Sequence, residues 1–296
     1  MDLDLILKKY KPNDNKALEK FVNDGFVIYE DIHEKEVIQA SKEFFMNNYN
    51  KLFEYYKEGK IKYEVHDWSI AIIDKYERTN LSKKFTESPK VIEMIKKYLG
   101  PDIALLGKNA LWINVPNDTN PVLLKGLHLD AWTGTSVNTI FAKTFFTDVD
   151  QYNGLSVCPG THLYGMTPVK NRGIDPLINI NPKSINLSNI KTGDMVIWHP
   201  LLIHSTTGHS GENIRISLTA RFTSTETPFS SQERSLGYTP LSVGPMNQIL
   251  RLIGNDYLTP LRTYDGFVGV DKRLKKLYGF SKYETEEDYS KLIEED

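Results

Sequence analysis

Two short segments of this chain carry histidine and carboxylate side chains at a spacing typical of metal ligands. In the first, His128 and Asp130 are separated by one residue within the sequence GLHLDAW (126–132). Because side chains alternate between the two faces of a β-strand, we expect both to point to the same side of a strand. Far downstream, His204 ends an apolar segment. Two histidines and one carboxylate leave three positions of an octahedral metal open, which is the ligand set of non-haem Fe(II) oxygenases.

The choice of the distal histidine depends on the arginine that follows it. Arg215 comes eleven residues after His204. If the two lie on antiparallel neighbouring strands, the guanidinium points into the same cavity, where its planar fork suits a carboxylate. The cosubstrate 2-oxoglutarate has such a distal carboxylate, and its 2-oxo acid end chelates iron. His199 precedes a proline, and His209 lies in the turn-like sequence GHSG, so His204 is the preferred ligand.

Length and composition describe an ordinary globular protein. The chain has 296 residues, of which 25% are charged and 40% hydrophobic, with a net charge of -2. This balance gives no electrostatic reason to expect a nucleic acid or an anionic membrane as a partner. The one cysteine, Cys158, excludes an internal disulfide framework. An acidic N-terminus without a signal-peptide pattern, and no apolar run of roughly 18 residues, complete the expectation of a soluble, cytoplasmic protein.

The first hundred residues have the periodicity of helices. Apolar and aromatic residues recur at helical spacing over 34–58, and this stripe is typical of a packed core. Asp31, three residues before Glu34, suggests a capping box for that helix. Further helices are expected over 15–23 and from Pro89 to about residue 100. A short strand is expected over 25–29 between the first two.

Residues 101–223 change to short β-rich runs separated by turn residues. Strands are expected over 110–115, 139–147, 195–198 and 214–222, with turns at 153–154 and 192–194. This pattern predicts an α+β protein with a β-sandwich or barrel-like jelly roll. Residues 224–245 are expected to form a loop, followed by helices over 246–253 and 271–278 and an acidic tail over 284–296. The whole of 1–296 is interpreted as a single domain with helical support over 1–100.

The order of these motifs resembles the phytanoyl-CoA dioxygenase family of Fe(II)/2-oxoglutarate oxygenases. The matching positions are, in order, His128-x-Asp130, Asn153-Gly154 with Pro159-Gly160-Thr161-His162, His204-x-Thr206 and Arg215-x-Ser217. The likeness covers about 100–222 and extends weakly to the segment from Phe21 to Val27. It implies that the jelly-roll core is a cupin-like double-stranded β-helix. Family members act on very different substrates, so the resemblance does not imply phytanoyl-CoA itself.

The resemblance implies a role for each matching residue and a cofactor set of Fe(II), 2-oxoglutarate and O2. The iron ligands are His128, Asp130 and His204. Arg215 matches the residue that binds the distal carboxylate of 2-oxoglutarate, and the Thr206 hydroxyl is expected to assist it. Lys143 either faces the cosubstrate or is an outward, solvated lysine. A carboxylate at position 130 argues against halogenation and favours hydroxylation of a C–H bond, while desaturation and ring closure stay open.

The surroundings of the site give weaker expectations about the substrate. Leu111, Trp112 and Trp132 either line the pocket or pack in the core. Basic residues that would meet an anionic small molecule, if they are not merely solvated, are Lys125, Arg172, Arg221 and Arg234. The long segment 165–190 is expected to be a lid that orders when substrate binds.

The remaining histidines have structural interpretations. His162 is interpreted as a turn residue or a pocket-rim residue that helps to shape the site, whereas His33 and His66 are interpreted as structural. Two other function classes stay open: a jelly-roll module that binds a ligand without chemistry, and a zinc hydrolase, in which Arg215 has no obvious role. A homodimer is compatible with the sequence.

Overall fold

A computed structural model of the chain describes residues 3–107, 109–117, 126–152, 155–171, 173–178, 180–206, 208–227 and 238–252. The predicted helix over 271–278, the acidic tail, the turn at 153–154 and the basic residues Lys125, Arg172 and Arg234 lie outside these ranges. Within them, no helix is both long enough and apolar enough to cross a bilayer.

Seven α-helices are present in the described residues. They are α1 (Leu3–Ile6), α2 (Lys16–Asp24), α3 (Lys35–Lys57), α4 (Val65–Glu77), α5 (Asn80–Thr86), α6 (Pro89–Leu99) and α7 (Pro245–Leu252). Thirteen strands are described along the same chain. The first seven are β1 (Lys9–Tyr10), β2 (Phe26–Tyr29), β3 (Ile103–Leu106), β4 (Ala110–Asn114), β5 (Thr139–Phe145), β6 (Leu155–Val157) and β7 (Val169–Lys170). The other six are β8 (Gly173–Ile174), β9 (Ile185–Asn186), β10 (Met195–Trp198), β11 (His204–Thr206), β12 (Arg215–Ser224) and β13 (Tyr238–Ser242).

The N-terminal helices form as their apolar periodicity predicts, with one correction at a helix start. Helix α3 begins at Lys35 after Glu34, whose side chain makes no capping hydrogen bond. Asp31 has a positive φ of 55° and pairs with Lys11 instead, so the predicted capping box was wrong. The capping-box spacing is present in the sequence, but Asp31 forms an ion pair with Lys11 and does not cap α3.

Helix α2 ends at a glycine that the fold requires. Gly25 has a φ of 80°, and its N–H donates to the carbonyl of Phe21, which closes the last turn. A Cβ at this position would lie 2.5 Å from Nδ1 of His162. The chain therefore passes from α2 into β2 directly against the segment that carries His162.

A large sheet forms the centre of the protein. Its strand order is β1-β2-β10-β5-β12-β3-β13, and β4 also pairs with β12. All described pairs in it are antiparallel except β1 with β2. A smaller sheet has the order β11-β6-β9, and β7 pairs with β8 as a separate hairpin. The strands predicted over 110–115, 139–147, 195–198 and 214–222 thus correspond to β4, β5, β10 and β12.

The large sheet carries different side chains on its two faces because neighbouring residues of a strand alternate. On β12, Ile216 and Leu218 pack into a cluster with helices α3, α4 and α5. On the opposite face, Phe141 and Phe145 of β5 pack with Leu155 of the small sheet. The sheet is therefore covered by helices on one side and by the small sheet on the other. Mixed helices and strands around a sheet core agree with the predicted α+β class, whereas the single-domain division of 1–296 stays a prediction.

Candidate metal centre

The three predicted metal ligands come together at one end of the space between the two sheets. His128, Asp130 and His204 each offer one ligand atom, and these atoms all lie within 4.8 Å of one another. Nε2 of His128 is 3.9 Å from Oδ1 of Asp130, and Nε2 of His204 is 3.4 Å from Oδ2. Both histidines are buried, and no other described group of histidine, cysteine and acidic residues meets the same metal-binding criterion.

The backbone around the triad differs from a continuous strand. His128 forms an isolated β-bridge with His204, in which each N–H donates to the other's carbonyl at 2.9 Å. Asp130 already begins a 3-10 helix that runs from Asp130 to Thr133. The expectation that both residues lie on one β-strand was therefore wrong, although their side chains still converge.

Hydrogen bonds to the backbone set the tautomer of both histidines. Nδ1 of His128 donates to the carbonyl of Gly126 at 2.8 Å, and Nδ1 of His204 donates to that of Leu202 at 3.0 Å. With the proton held on Nδ1, each Nε2 presents its lone pair to the centre of the triad. The donor set and its tautomers fit a divalent transition metal such as iron.

Trp198 holds the carboxylate of the triad, a contact that the sequence analysis missed. Its ring Nε1 donates to Oδ2 of Asp130 at 3.0 Å, and its ring lies 5.4 Å from that of His204. Partners of this kind orient metal-binding carboxylates. The only sequence signal was a tryptophan at the end of a predicted strand near His204, which does not show where the indole points.

The triad opens into a cavity of about 210 Å³ between the sheets. Its lining combines the triad with four aromatic side chains: Trp112, Trp132, Phe141 and Trp198. Three cationic side chains also line it: Lys143, Arg215 and Arg221. Thr206 of β11 completes the set of predicted cosubstrate residues at the cavity wall. Of the two residues considered on β4, Trp112 faces this cavity and Leu111 packs into the helix-side core.

Arg215 is a buried cation on the cavity floor. It is only 3% exposed, and burial lowers the pKa of its guanidinium to about 10, so the group stays charged near neutral pH. Burying a charge is costly unless an anion compensates it. The prediction that His204 and Arg215 lie on antiparallel neighbouring strands was wrong, because β11 and β12 belong to different sheets. His204 and Arg215 reach the same cavity from opposite walls.

Lys143 also points into the cavity, so the alternative of an outward, solvated lysine was wrong. Its Nζ lies 5.5 Å from the ring centre of Trp112 and 5.9 Å from that of Trp198. Aromatic faces attract an ammonium group at such distances. The two rings therefore hold the lysine between the floor of the cavity and the metal-binding residues.

Two residues that line the same cavity, Asn114 and Thr219, and their neighbour Ser217 were not indicated as site residues by the sequence. In the described part of the chain, Oδ1 of Asn114, Oγ of Ser217 and Oγ1 of Thr219 are buried and have no hydrogen-bond partner. Asn114 pairs in register with Arg215, and Ser217 and Thr219 lie on the same face of β12. Buried polar atoms are nearly always satisfied in proteins. Their position indicates a surface built to contact a polar ligand.

The other histidines do not contact the triad. Nε2 of His162 donates to the carbonyl of Val22, so this residue fastens the end of α2 and does not form the predicted pocket rim. His33 is buried against Phe85, and Nε2 pairs with the hydroxyl of Thr144. His199 and His209 also have local partners away from the cavity.

The segment 165–190 is more structured than a simple loop. It contains the β7–β8 hairpin and strand β9, which pairs with β6. The N–H of Ile174 donates to the carbonyl of Leu127, next to the triad, at 2.9 Å. The segment therefore reaches the metal-binding residues, and its ordering on substrate binding stays a prediction.

Comparison with known proteins places the chain among its relatives. Residues 21–217 match the family model for phytanoyl-CoA dioxygenase. The chain belongs to the phytanoyl-CoA dioxygenase family. It is 24% identical over 183 residues to the peroxisomal phytanoyl-CoA dioxygenase of Mus musculus, covering 57% of this chain and 53% of the mouse protein. It thus spans about half the length of that curated relative.

Solved structures related to this family member share its fold at low sequence identity. The apo form of the non-haem monooxygenase ThoJ matches with a TM-score of 0.57 at 13% identity, over 76% of this chain and 83% of ThoJ. The epimerase SnoN, in complex with Fe3+, α-ketoglutarate and nogalamycin RO, matches with a TM-score of 0.55 at 14% identity, over 82% and 91%. The carbocyclase SnoK matches with a TM-score of 0.54 at 15% identity, over 73% and 86%.

These comparisons confirm the predicted family. Phytanoyl-CoA dioxygenase-type enzymes use Fe(II), 2-oxoglutarate and O2, so the predicted cofactor set is confirmed with it. The His128–Asp130–His204 cluster has the composition and spacing to hold the metal ion of such a cofactor set.

Proposed function

We propose that this protein is an Fe(II)- and 2-oxoglutarate-dependent oxygenase that hydroxylates a C–H bond of a small molecule. One observation carries the proposal: the His128–Asp130–His204 cluster and the buried Arg215 line the same cavity. A metal site alone is compatible with several chemistries. A buried guanidinium that lines the same cavity is suited in shape and charge to the distal carboxylate of 2-oxoglutarate.

The arrangement of the sheets supports a finer interpretation of the fold. We infer that the large sheet and the β11-β6-β9 sheet are the two walls of a double-stranded β-helix. The apolar cluster shared by β5, β6 and β10 lies between them, and the cavity opens beside it. This geometry places the triad on loops and strand ends, where a rigid scaffold holds it.

The side chains around the triad prepare it for the metal. His128 and His204 are held with Nε2 available by their Nδ1 hydrogen bonds, and Trp198 keeps the Asp130 carboxylate in place. When bound, the iron and the cosubstrate supply the oxidising chemistry, while the protein positions and shields it. The aromatic walls at Trp112 and Phe141 exclude water from the reacting centre.

The cosubstrate is assigned to the basic side of the cavity. Arg215 would hold the distal carboxylate of 2-oxoglutarate, and Thr206 on the opposite wall would offer its hydroxyl to the same group. Lys143, held between Trp112 and Trp198, adds a second cation close to the metal end. Because Asp130 occupies the third ligand position, no place is left there for a halide, and hydroxylation is the favoured outcome.

Anaerobic titration with Fe(II) and 2-oxoglutarate tests the proposal. Chelation of the 2-oxo acid to iron gives a weak visible charge-transfer band, which we expect in the wild type and not in His204→Ala. In Arg215→Gln, the affinity for 2-oxoglutarate should fall by at least about 30-fold, because a buried charge pair is lost. His33→Gln is the matched control, since His33 is a buried histidine that stacks on Phe85 on the helix side of the sheet and lies outside the cavity.

A wild-type protein that binds neither iron nor 2-oxoglutarate would contradict the proposal and favour a binding module without redox chemistry. Zinc-dependent hydrolysis without 2-oxoglutarate would favour a hydrolase. Neither alternative is favoured by the family. The cytoplasmic location and the compatibility with a homodimer stay predictions.

A further inference from the structure

A second anion-binding position lies in the same cavity, centred on Arg221. We propose that Arg221 binds a carboxylate or phosphate group of the primary substrate and thereby decides which molecules are oxidised. The proposal rests on the proposed function, because it requires that 2-oxoglutarate occupies the Arg215 end. It assigns to Arg221 a role different from that of Arg215, although both extend from β12.

The register of the sheet separates the two arginines. They lie on the same face of β12, six residues apart, which corresponds to about 20 Å along a strand. Arg221 pairs with Phe141, which in turn pairs with Trp198, the residue bound to Asp130. Arg215 pairs instead with Asn114. Arg221 therefore belongs to the row of the sheet nearest the metal ligands, where the substrate C–H must be placed.

The charge of the cavity points to an anionic substrate. Its described lining has three cations, Lys143, Arg215 and Arg221, and Asp130 is the only acidic residue among them. The two positive charges of Fe(II) and the two negative charges of 2-oxoglutarate cancel. The described lining therefore has more positive than negative side chains after both have bound. Confined in a partly buried space, such an excess attracts an anion strongly.

The groups beside Arg221 indicate what else the substrate carries. Thr219 lies two residues away on the same face, and its buried hydroxyl has no hydrogen-bond partner in the part of the chain that the structure describes. Phe141, Trp132 and Trp198 give the same end of the cavity an aromatic lining. The combination fits a small molecule with an apolar or aromatic body and one anionic group, bonded by a guanidinium and a hydroxyl.

Binding of simple aromatic anions tests the proposal without knowledge of the natural substrate. The protein is loaded with Mn(II) and saturating 2-oxoglutarate, which fills the Arg215 end, and titrated by calorimetry with phenyl phosphate, benzoate and the neutral benzamide. We expect the wild type to bind at least one of the two anions more tightly than benzamide. Arg221→Gln should weaken that anion at least tenfold and leave benzamide unchanged, whereas Arg221→Lys should retain part of the preference.

The controls separate this proposal from the proposed function. Arg78→Gln, at an exposed arginine after α4, should bind all three probes as the wild type does. The proposal is overturned if the wild type binds the anions and benzamide equally. It is also overturned if Arg221→Gln binds the anions as the wild type does, which is the result expected when the anion coordinates the metal. The Fe(II)–2-oxoglutarate band is recorded on the same variants. If this band is absent from the wild type, the proposed function fails. The preference for anions over benzamide, and its loss in Arg221→Gln, are then measured on the metal-free protein.

Discussion

The two faces of the large sheet are built from the same strands and yet have opposite character. On β12, even-numbered residues such as Ile216 and Leu218 pack against helices in a fully apolar cluster. Odd-numbered residues such as Arg215 and Thr219 face the cavity, and the buried hydroxyls of Ser217 and Thr219 on this face have no hydrogen-bond partner among the described residues. Adjacent residues of one strand thus have different roles, one stabilising the fold and the next facing the proposed ligand-binding cavity.

The difference between the two faces of the sheet explains how this fold supports a polar site. Buried hydroxyls that have no hydrogen-bond partner among the described residues cost free energy. The apolar helix-side face, which extends from α3 to β4 and β12, supplies the opposing stabilisation. Substitutions on the helix side should therefore act mainly on stability, and those on the cavity side mainly on binding. The following predictions challenge that division.

The largest effect is expected on the helix side, at Leu218. This residue is completely buried and pairs in register with Leu111 and Thr144. Leu218→Ala removes part of a well-packed core and should lower the free energy of unfolding by about 2–5 kcal/mol. Urea unfolding measures the change. The folded fraction should bind Fe(II) and 2-oxoglutarate as tightly as the wild type, and a large loss of that affinity would break the proposed division of roles.

The next effect concerns two tryptophans on opposite faces. Trp198→Phe removes the donor to Asp130 and should weaken iron binding by about 10- to 100-fold. Trp68→Phe is the matched control, since Trp68 is fully buried in the helix-side cluster and its Nε1 has no described partner. It should alter stability alone. Anaerobic Fe(II) titration distinguishes them, and equal iron affinity in both variants would show that the indole of Trp198 only packs.

The same division explains which parts of the site the sequence could reveal. His128, Asp130, His204 and Arg215 were found because their types and spacing are themselves the chemical signature, and the structure brings all four to one cavity. Local spacing is preserved whatever the surrounding pairing. The His-x-Asp spacing was also compatible with a continuous strand through Asp130. The chain instead begins a 3-10 helix at that residue.

Features that depend on distant pairing could not be inferred. That Trp198 meets Asp130, or that β11 and β12 lie in different sheets, follows from strand order, which short periodic patterns do not encode. The helices α4 and α5 lie within the first hundred residues, which were predicted to be mainly helical, but their bounds were not predicted. Thr219 gave no signal at all, since a threonine in a strand is ordinary until its register is known.

A smaller effect is expected from the pH dependence of the helix side. Burial lowers the pKa of His33 to about 3, against an ordinary value of 6.5. The folded state therefore keeps His33 neutral while the unfolded chain takes up a proton, so this residue makes stability fall as the pH decreases from about 6.5 towards 3. The slope is at most about 1.4 kcal/mol per pH unit. Urea unfolding of the wild type and His33→Gln between pH 7 and pH 5 should show a shallower decline in the variant, and parallel curves would contradict the assignment.

The smallest effect, and the sharpest comparison, is expected at two threonines on the cavity side. The hydroxyl of Thr139 donates to Thr223 at 3.1 Å, whereas that of Thr219 has no described partner. Thr139→Val should therefore cost about 1–2 kcal/mol of unfolding free energy, because it leaves Thr223 with one bond fewer. Thr219→Val should change stability by less than about 1 kcal/mol, in either direction, since it removes a hydroxyl that the fold does not use. If Thr219→Val proves as destabilising as Thr139→Val, the Thr219 hydroxyl stabilises the fold and does not await a ligand. The inference that the cavity floor is a binding surface then loses one of its supporting observations.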